Sequence, residues 1–178
     1  MLQSTKWTDA AWLFPAVLWA GAAAASIPVC PSQQPPADAS AAPPRLVHLF
    51  EQARDVQRES GAVGLSASVG SYCVTPHAVF FDPDWLALDV APAGPGPHPA
   101  AGRIAFALAA RRHFLLREQP EEQAVQAAAT ATGCTLTRLG LRPPEVATRV
   151  ADIEAAAGVA PGSLVEAFQR GVATCSAR

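Results

Sequence analysis

Apolar residues along this chain recur at two different spacings, and the spacing changes where the predicted elements change. From Arg45 to Ser60, Leu46, Leu49, Phe50, Ala53 and Val56 recur at helical intervals, while Glu51, Arg54, Asp55 and Arg58 fill the opposite face. That period predicts an amphipathic helix with a solvated charged side, stopped at Gly61. From Gly61 the interval drops to two: Val63, Leu65, Ala67 and Val69 alternate with small residues, and Ser71 to Val74 extends the pattern. After Thr75-Pro76, His77 to Phe81 reads as a second strand, so a hairpin or small antiparallel sheet is expected beside the helices. Asp82-Pro83-Asp84 then turns the chain. Acids flanking a proline form turns, and this is preferred to a calcium site at Asp82 and Asp84.

Helical spacing returns after a Pro/Gly-rich stretch, Ala91 to Ala101, in which His98 is expected to be solvated. One helix is predicted from about Gly102 to Arg117. Another opens at Pro120-Glu121-Glu122, with proline in the first turn and acids against the positive end of the helix dipole, and closes at Gly140. A third follows Arg142-Pro143-Pro144-Glu145 and runs to Ala157, with Val146, Val150 and Ile153 inward. The last opens on Ser163-Leu164-Val165-Glu166, a capping box, and carries Phe168 and Val172. No internal repeat is present. The fold class expected is therefore α+β, mostly helical, with a small hairpin or sheet.

The N-terminus is different. Lys6 and Asp9 are followed by an apolar run from Ala10 to Ala25 without a charge, and no charged residue appears until Asp38. The run reads as the core of a signal peptide, with Ala23 and Ala25 suiting cleavage. The competing reading is an uncleaved apolar helix that anchors the chain in a membrane through residues 10–26, although Pro15 and Gly21 interrupt it. Residues 27–44 include SQQPPADASAAPP, which has few large apolar side chains and reads as a Pro-rich linker. Three segments are thus expected: 1–26 as leader or anchor, 27–44 as linker, and 45–178 as the folded domain.

The formal net charge is -2, from 13 basic and 15 acidic residues, which gives no electrostatic footprint for nucleic acid. The four cysteines, Cys30, Cys73, Cys134 and Cys175, are widely spaced and contain no C-x-x-C. Zinc knuckles and thioredoxin-type sites are disfavoured. In an exported chain the even count predicts two disulfides, with three connectivities possible; buried free thiols are the alternative. Neither a Gly-rich phosphate loop nor a G-x-S-x-G elbow occurs. A thiol dyad of Cys134 with His113 would be abolished by a disulfide.

Several stretches carry a family likeness. Phe81-Asp82-Pro83-Asp84-Trp85-Leu86 matches a "Y/F-x-P-x-x-L" turn. Ala109-Ala110-Arg111-Arg112-His113 occupies the place of an H-E-x-x-H helix. Gly133 to Gly140 ends in Arg138-Leu139-Gly140, and Ala167 to Gly171 reads A-x-x-x-G. Together, from about Gly61 to Cys175, they resemble bacterial zinc metallopeptidases of the gluzincin type, which implies zincin-like helices. The resemblance places the first ligand histidine at Ala109, the general-base glutamate at Ala110, the second histidine at His113 and the third-ligand glutamate near Ala127. One of these four positions keeps its residue. A catalytic zinc uses ~3 protein ligands, and Arg111 and Arg112 would oppose a dication beside them. His77, Glu121 and Glu122 lack the spacing to replace the missing ligands.

The expectation is a metallopeptidase-like pseudoenzyme without metal or cofactor, exported to the periplasm or secreted. It would bind an unidentified protein or serve a structural role in the bacterial envelope. The alternatives are a working zinc hydrolase with other ligands and an inner-membrane-anchored helical protein of unrelated fold.

Overall fold

The computed structural model describes residues 26–32, 34–91, 96–142 and 145–177. The segment 1–26 expected as leader or anchor lies outside the described residues, apart from Ser26. So do Pro143 and Pro144. Among the described residues no helix is long and apolar enough to cross a membrane.

The described chain is mostly helical with one small four-stranded sheet. It begins with strand β1 (Ser40–Ala41), then helix α1 (Pro44–Gln57), strands β2 (Ala62–Leu65), β3 (Tyr72–Val74) and β4 (Ala78–Phe81), and the short helix α2 (Pro83–Leu86). Helix α3 (Pro99–Arg111) continues into a π-helical turn, Arg112–Leu116. Helices α4 (Glu121–Arg138), α5 (Val146–Ala157) and α6 (Val165–Ser176) complete the fold.

Helix α1 forms where the period predicted it and buries Leu46, Leu49, Phe50 and Ala53. It stops before the expected glycine: Arg58 turns left-handed at φ 55° and its N–H returns to the carbonyls of Arg54 and Asp55. Gly61 serves a different end. Its φ of 137° carries the chain into β2, and a Cβ there would strike the Arg111 guanidinium.

The sheet has the order β1-β2-β4-β3. The run expected as one strand from Val63 to Val74 is broken by a 3-10 turn at Ala67–Val69 into β2 and β3. Only its last part forms a hairpin, β3–β4, closed by Thr75, whose hydroxyl accepts from Ala78 N at 2.9 Å. The sheet is mixed rather than antiparallel, because β2 pairs parallel with β4, Val63 opposite Val79. The 3-10 turn Ala67–Val69 and Gly70 reverse the chain after β2 and send β3 to the far edge, leaving β4 in the middle. β4 is accordingly buried along its whole length.

The stretch expected as a linker is tied to the domain at several of its described residues. Ile27 and Cys30 are buried, Cys30 is bonded to Cys73, and Ser40 and Ala41 pair with β2. Asp38 supplies the anchor that the composition concealed. Its carboxylate accepts from the hydroxyls of Ser66 (2.6 Å) and Ser68 (2.7 Å) and from Ser68 N. Those bonds, the Ser66 one foremost, lower its pKa to about 2.

Helix α3 is the axis of the domain. Every residue from Ala100 to Arg111 except Arg103 is buried, as a helix apolar on all sides must be. Its alanines let α1, α4 and α5 approach closely, and the sheet covers it as well. Arg103 faces outward over the Trp85 ring at 5.1 Å, bonds the Trp85 carbonyl and lies 3.8 Å from Asp152. His98 is not solvated. It caps α3, with Nδ1 accepting from Ala100 N at 3.0 Å.

That cap needs a neutral imidazole. Burial, then the charge of Arg45, lowers the His98 pKa below its ordinary 6.5. A lowered histidine pKa gives stability that is whole above 6.5 and lost as pH falls through the folded value. His113 is shifted the same way, chiefly by burial. Thermal melts should therefore show the midpoint falling as pH drops below about 6.5. His98→Ala should cost about 1 kcal/mol at neutral pH and flatten part of that slope. An unchanged slope in the variant would remove His98 from the account.

Candidate functional site

The positions marked by the family likeness are not gathered into one site. Ala109 and Ala110 are fully buried in α3. His113, one turn beyond Ala109, lies in the π-helical turn, where Arg117 N donates to Arg112 O. Its Nδ1 is 3.0 Å from Gln119 Oε1, in the loop that follows. The face of α4 that meets α3 carries Leu136, whose Cδ1 would touch a Cβ on Gly102 at 3.5 Å. At ~100° per residue, Ala127 falls ~180° around α4 from Leu136. It shares a stripe with Thr130 and Cys134, and both of these abut Gly171 of α6. Helix α4 thus presents Ala127 toward α6 and not toward Ala109 and His113.

Several of the neighbouring polar groups hold partners elsewhere. Arg111 is buried and donates to the Ser60 carbonyl at 2.7 Å. Arg112 pairs with Glu59 at 2.9 Å and bonds the Gln57 carbonyl. Glu121 accepts from Ile27 N at 2.5 Å, while Glu122 and His77 are exposed. Asp82 caps α2 through Asp84 N and Trp85 N. Among the described residues no three His, Cys, Asp or Glu come together as a metal-binding group. Ser66, Ser68 and Asp38 form a hydroxyl–carboxylate cluster without an imidazole, and a carboxylate with a pKa of about 2 is a poor base.

The cysteines resolve into Cys30–Cys73 and Cys134–Cys175. The first holds the N-terminal segment on β3. The second joins the C-terminal parts of α4 and α6, which run side by side in the same direction, since Gln126 bonds the Ser163 carbonyl near their starts.

Between α5 and α6 lies an apolar groove of about 560 Å³. Val146, Val150, Val165 and Val172 line it, with Ala147, Ala151 and Ala173 exposed along it and Gln169 beside them. It exists because α5 makes few contacts with α6, which packs instead on α4. Glu154, also on the lining, fixes the connection between the two helices. Its carboxylate accepts from Gly162 N and Leu164 N, both at 2.9 Å. This replaces the expected capping box: Ser163 makes no such cap, its hydroxyl donating to the Ala160 carbonyl. Glu154 was missed in the sequence, yet it left a signal there. It is an acid on the Val150, Ile153, Ala157 stripe, where an unpartnered charge is not tolerated.

No family model matches the chain, and no curated protein or solved structure is significantly similar to it.

Proposed function

We propose that this is a non-catalytic, exported binding domain that holds an amphipathic helix of a protein partner in the α5–α6 groove. The observation that carries the reading is the groove itself: an open apolar channel between two helices, in which the one acid among the described lining residues, Glu154, is engaged by backbone amides. A helix is the occupant that suits it. Ala147 and Ala151 stand one turn apart on α5, the same small-residue spacing by which Ala167 and Gly171 of α6 let α4 come close. Apolar helix faces dock in such grooves through anchors three and four residues apart. The two disulfides suit an oxidising compartment outside the cytosol. Removal of the apolar run, with Ala23 and Ala25 at the cleavage site, belongs to the same reading.

Descent from a zinc metallopeptidase is not needed by this reading, and the orientation of Ala127 gives it little support. A working hydrolase is supported less still, because His113, Glu121 and Glu59 each already hold a neighbour.

The test is a titration of the labelled protein with a model amphipathic peptide helix bearing leucines on one face, followed through backbone amide shifts. Shifts should centre on Ala147, Ala151, Gln169 and Ala173. Ala151→Arg, at an exposed position that does not threaten folding, should weaken binding about tenfold or more. Shifts scattered over the surface, or unaffected by Ala151→Arg, would remove the groove from the proposal.

A further inference from the structure

The first described residues are held more firmly than a severed leader's stub requires. Ser26 is exposed, but its N lies 3.4 Å from the Ala157 carbonyl at the C-terminal end of α5. Ile27 is buried, and its N–H is taken by Glu121. Pro28 and Cys30 bond Val74 through their backbones, and Cys30 closes the disulfide to Cys73. Hence the α-nitrogen of Ser26 is fixed at a helix end where carbonyl dipoles favour a cation.

We propose that maturation ends at Ser26 and that its free α-ammonium is a structural cation of the folded protein, seated on the C-terminal end of α5 with Glu121 as its neighbouring acid. The proposal rests on the reading that residues 1–25 are removed on export. Hydrolysis of the Ala25–Ser26 bond by a signal-peptidase-class enzyme puts the water's hydroxyl on the Ala25 carbonyl and leaves the amine on Ser26. In the uncleaved chain the same nitrogen is a neutral amide, and at 3.4 Å it offers the carbonyl a long, weak hydrogen bond. As an ammonium it has three donors and a full charge.

The titratable groups on the elements that touch this segment agree. From α4 comes Glu121, which forms no ion pair among the described residues. From α5 comes Glu154, one turn before Ala157, with both oxygens engaged by Gly162 and Leu164. From β3 comes Tyr72, whose buried hydroxyl lacks a partner among the described residues and stays neutral, its pKa pushed up by burial and then by Glu121. An ammonium placed here should have its pKa raised above the usual 7.7–8.0 or so. Its contribution is then whole below that value and lost as pH rises through the folded pKa.

The composition allows a clean experiment. Lys6 is the only lysine in the chain, so a protein beginning at Ser26 has one primary amine. The full chain is exported in a bacterial host, and the product's intact mass is measured. A start at Ser26 is expected, and any other start overturns the proposal. The amine is then acetylated, and free and acetylated protein are melted from pH 6 to 10. The free form should melt about 1–4 °C higher near pH 6–7, the two converging at high pH. Glu121→Gln should shrink the difference. Equal melting at pH 6–7 after a confirmed Ser26 start overturns the ammonium site and leaves export and the α5–α6 groove untouched.

Discussion

Reduction of both disulfides is expected to take away most of the folding stability of this protein. The two bridges close loops of similar size, with sequence separations of 43 and 41. On the chain-entropy account a loop of that length gives about 4 kcal/mol. Two of them amount to about 8 kcal/mol, against a usual total of 5–15 for a domain. The bridges also sit where few other interactions would serve. Cys30–Cys73 secures a segment whose burial depends on Ile27 and one edge of β3. Cys134–Cys175 secures the last turns of α6 beyond Gly171. Calorimetry of the double variant Cys134→Ala/Cys175→Ala should show a midpoint about 8–16 °C lower. Full reduction, verified by alkylation and mass, should lower it further or abolish the cooperative transition. A reduced protein melting within ~3 °C of the oxidised one would mean that the bridges are incidental and would weaken the case for an oxidising compartment.

What the sequence made legible follows from how local each cause is. The α1 stripe, the Pro120–Glu122 start of α4 and the strands at β2 and β4 rest on periods and caps that a short window contains. The cysteines announced two disulfides but not their pairing, which depends on contacts more than 40 residues apart. The Asp38 anchor and the burial of Ile27 were hidden by a Pro/Ala composition that usually leaves a chain free. The Pro/Gly-rich surroundings of His98 point to a solvated side chain, although a residue just before Pro99 is well placed to cap a helix. The α5–α6 groove could not be read at all, since it depends on the angle between two helices and on α6 choosing α4. Ala127 makes the same point. The family resemblance placed it one helix away from His113, but only the rotation of α4 about its axis decides which neighbour it faces.

The stretches that prompted the family comparison have a packing cause of their own, and substitution can expose it. A Cβ built on Gly171 would fall on the Thr130 carbonyl and within 2.9 Å of Cys134 N. One built on Gly133 would fall on the Phe168 carbonyl and within 3.2 Å of Val172 N. These neighbours are backbone, which cannot step aside as a flexible side chain can. The A-x-x-x-G of α6 and the glycine before Cys134 are therefore what lets α4 and α6 touch along their lengths. Gly171→Ala gains about 1 kcal/mol of helix propensity. Against this, the methyl must push α6 off α4, opening the contact around Ala167 and Phe168, and overpacking of this kind costs about 1–3 kcal/mol or more. Rigid backbone on the far side puts this site at the upper end, and Gly171→Val lies beyond it. The expected outcome is a midpoint lowered by about 4–8 °C for Gly171→Ala, with a similar loss for Gly133→Ala. Because both methyls open the same gap, the double variant should lose clearly less than the sum. Two controls separate this from a general intolerance of α6: Gln169→Ala and Ala173→Ser, on the exposed side, should be nearly neutral. If Gly171→Ala instead raises the midpoint, propensity has won, the helices are not in backbone contact, and the small residues of this segment need another explanation.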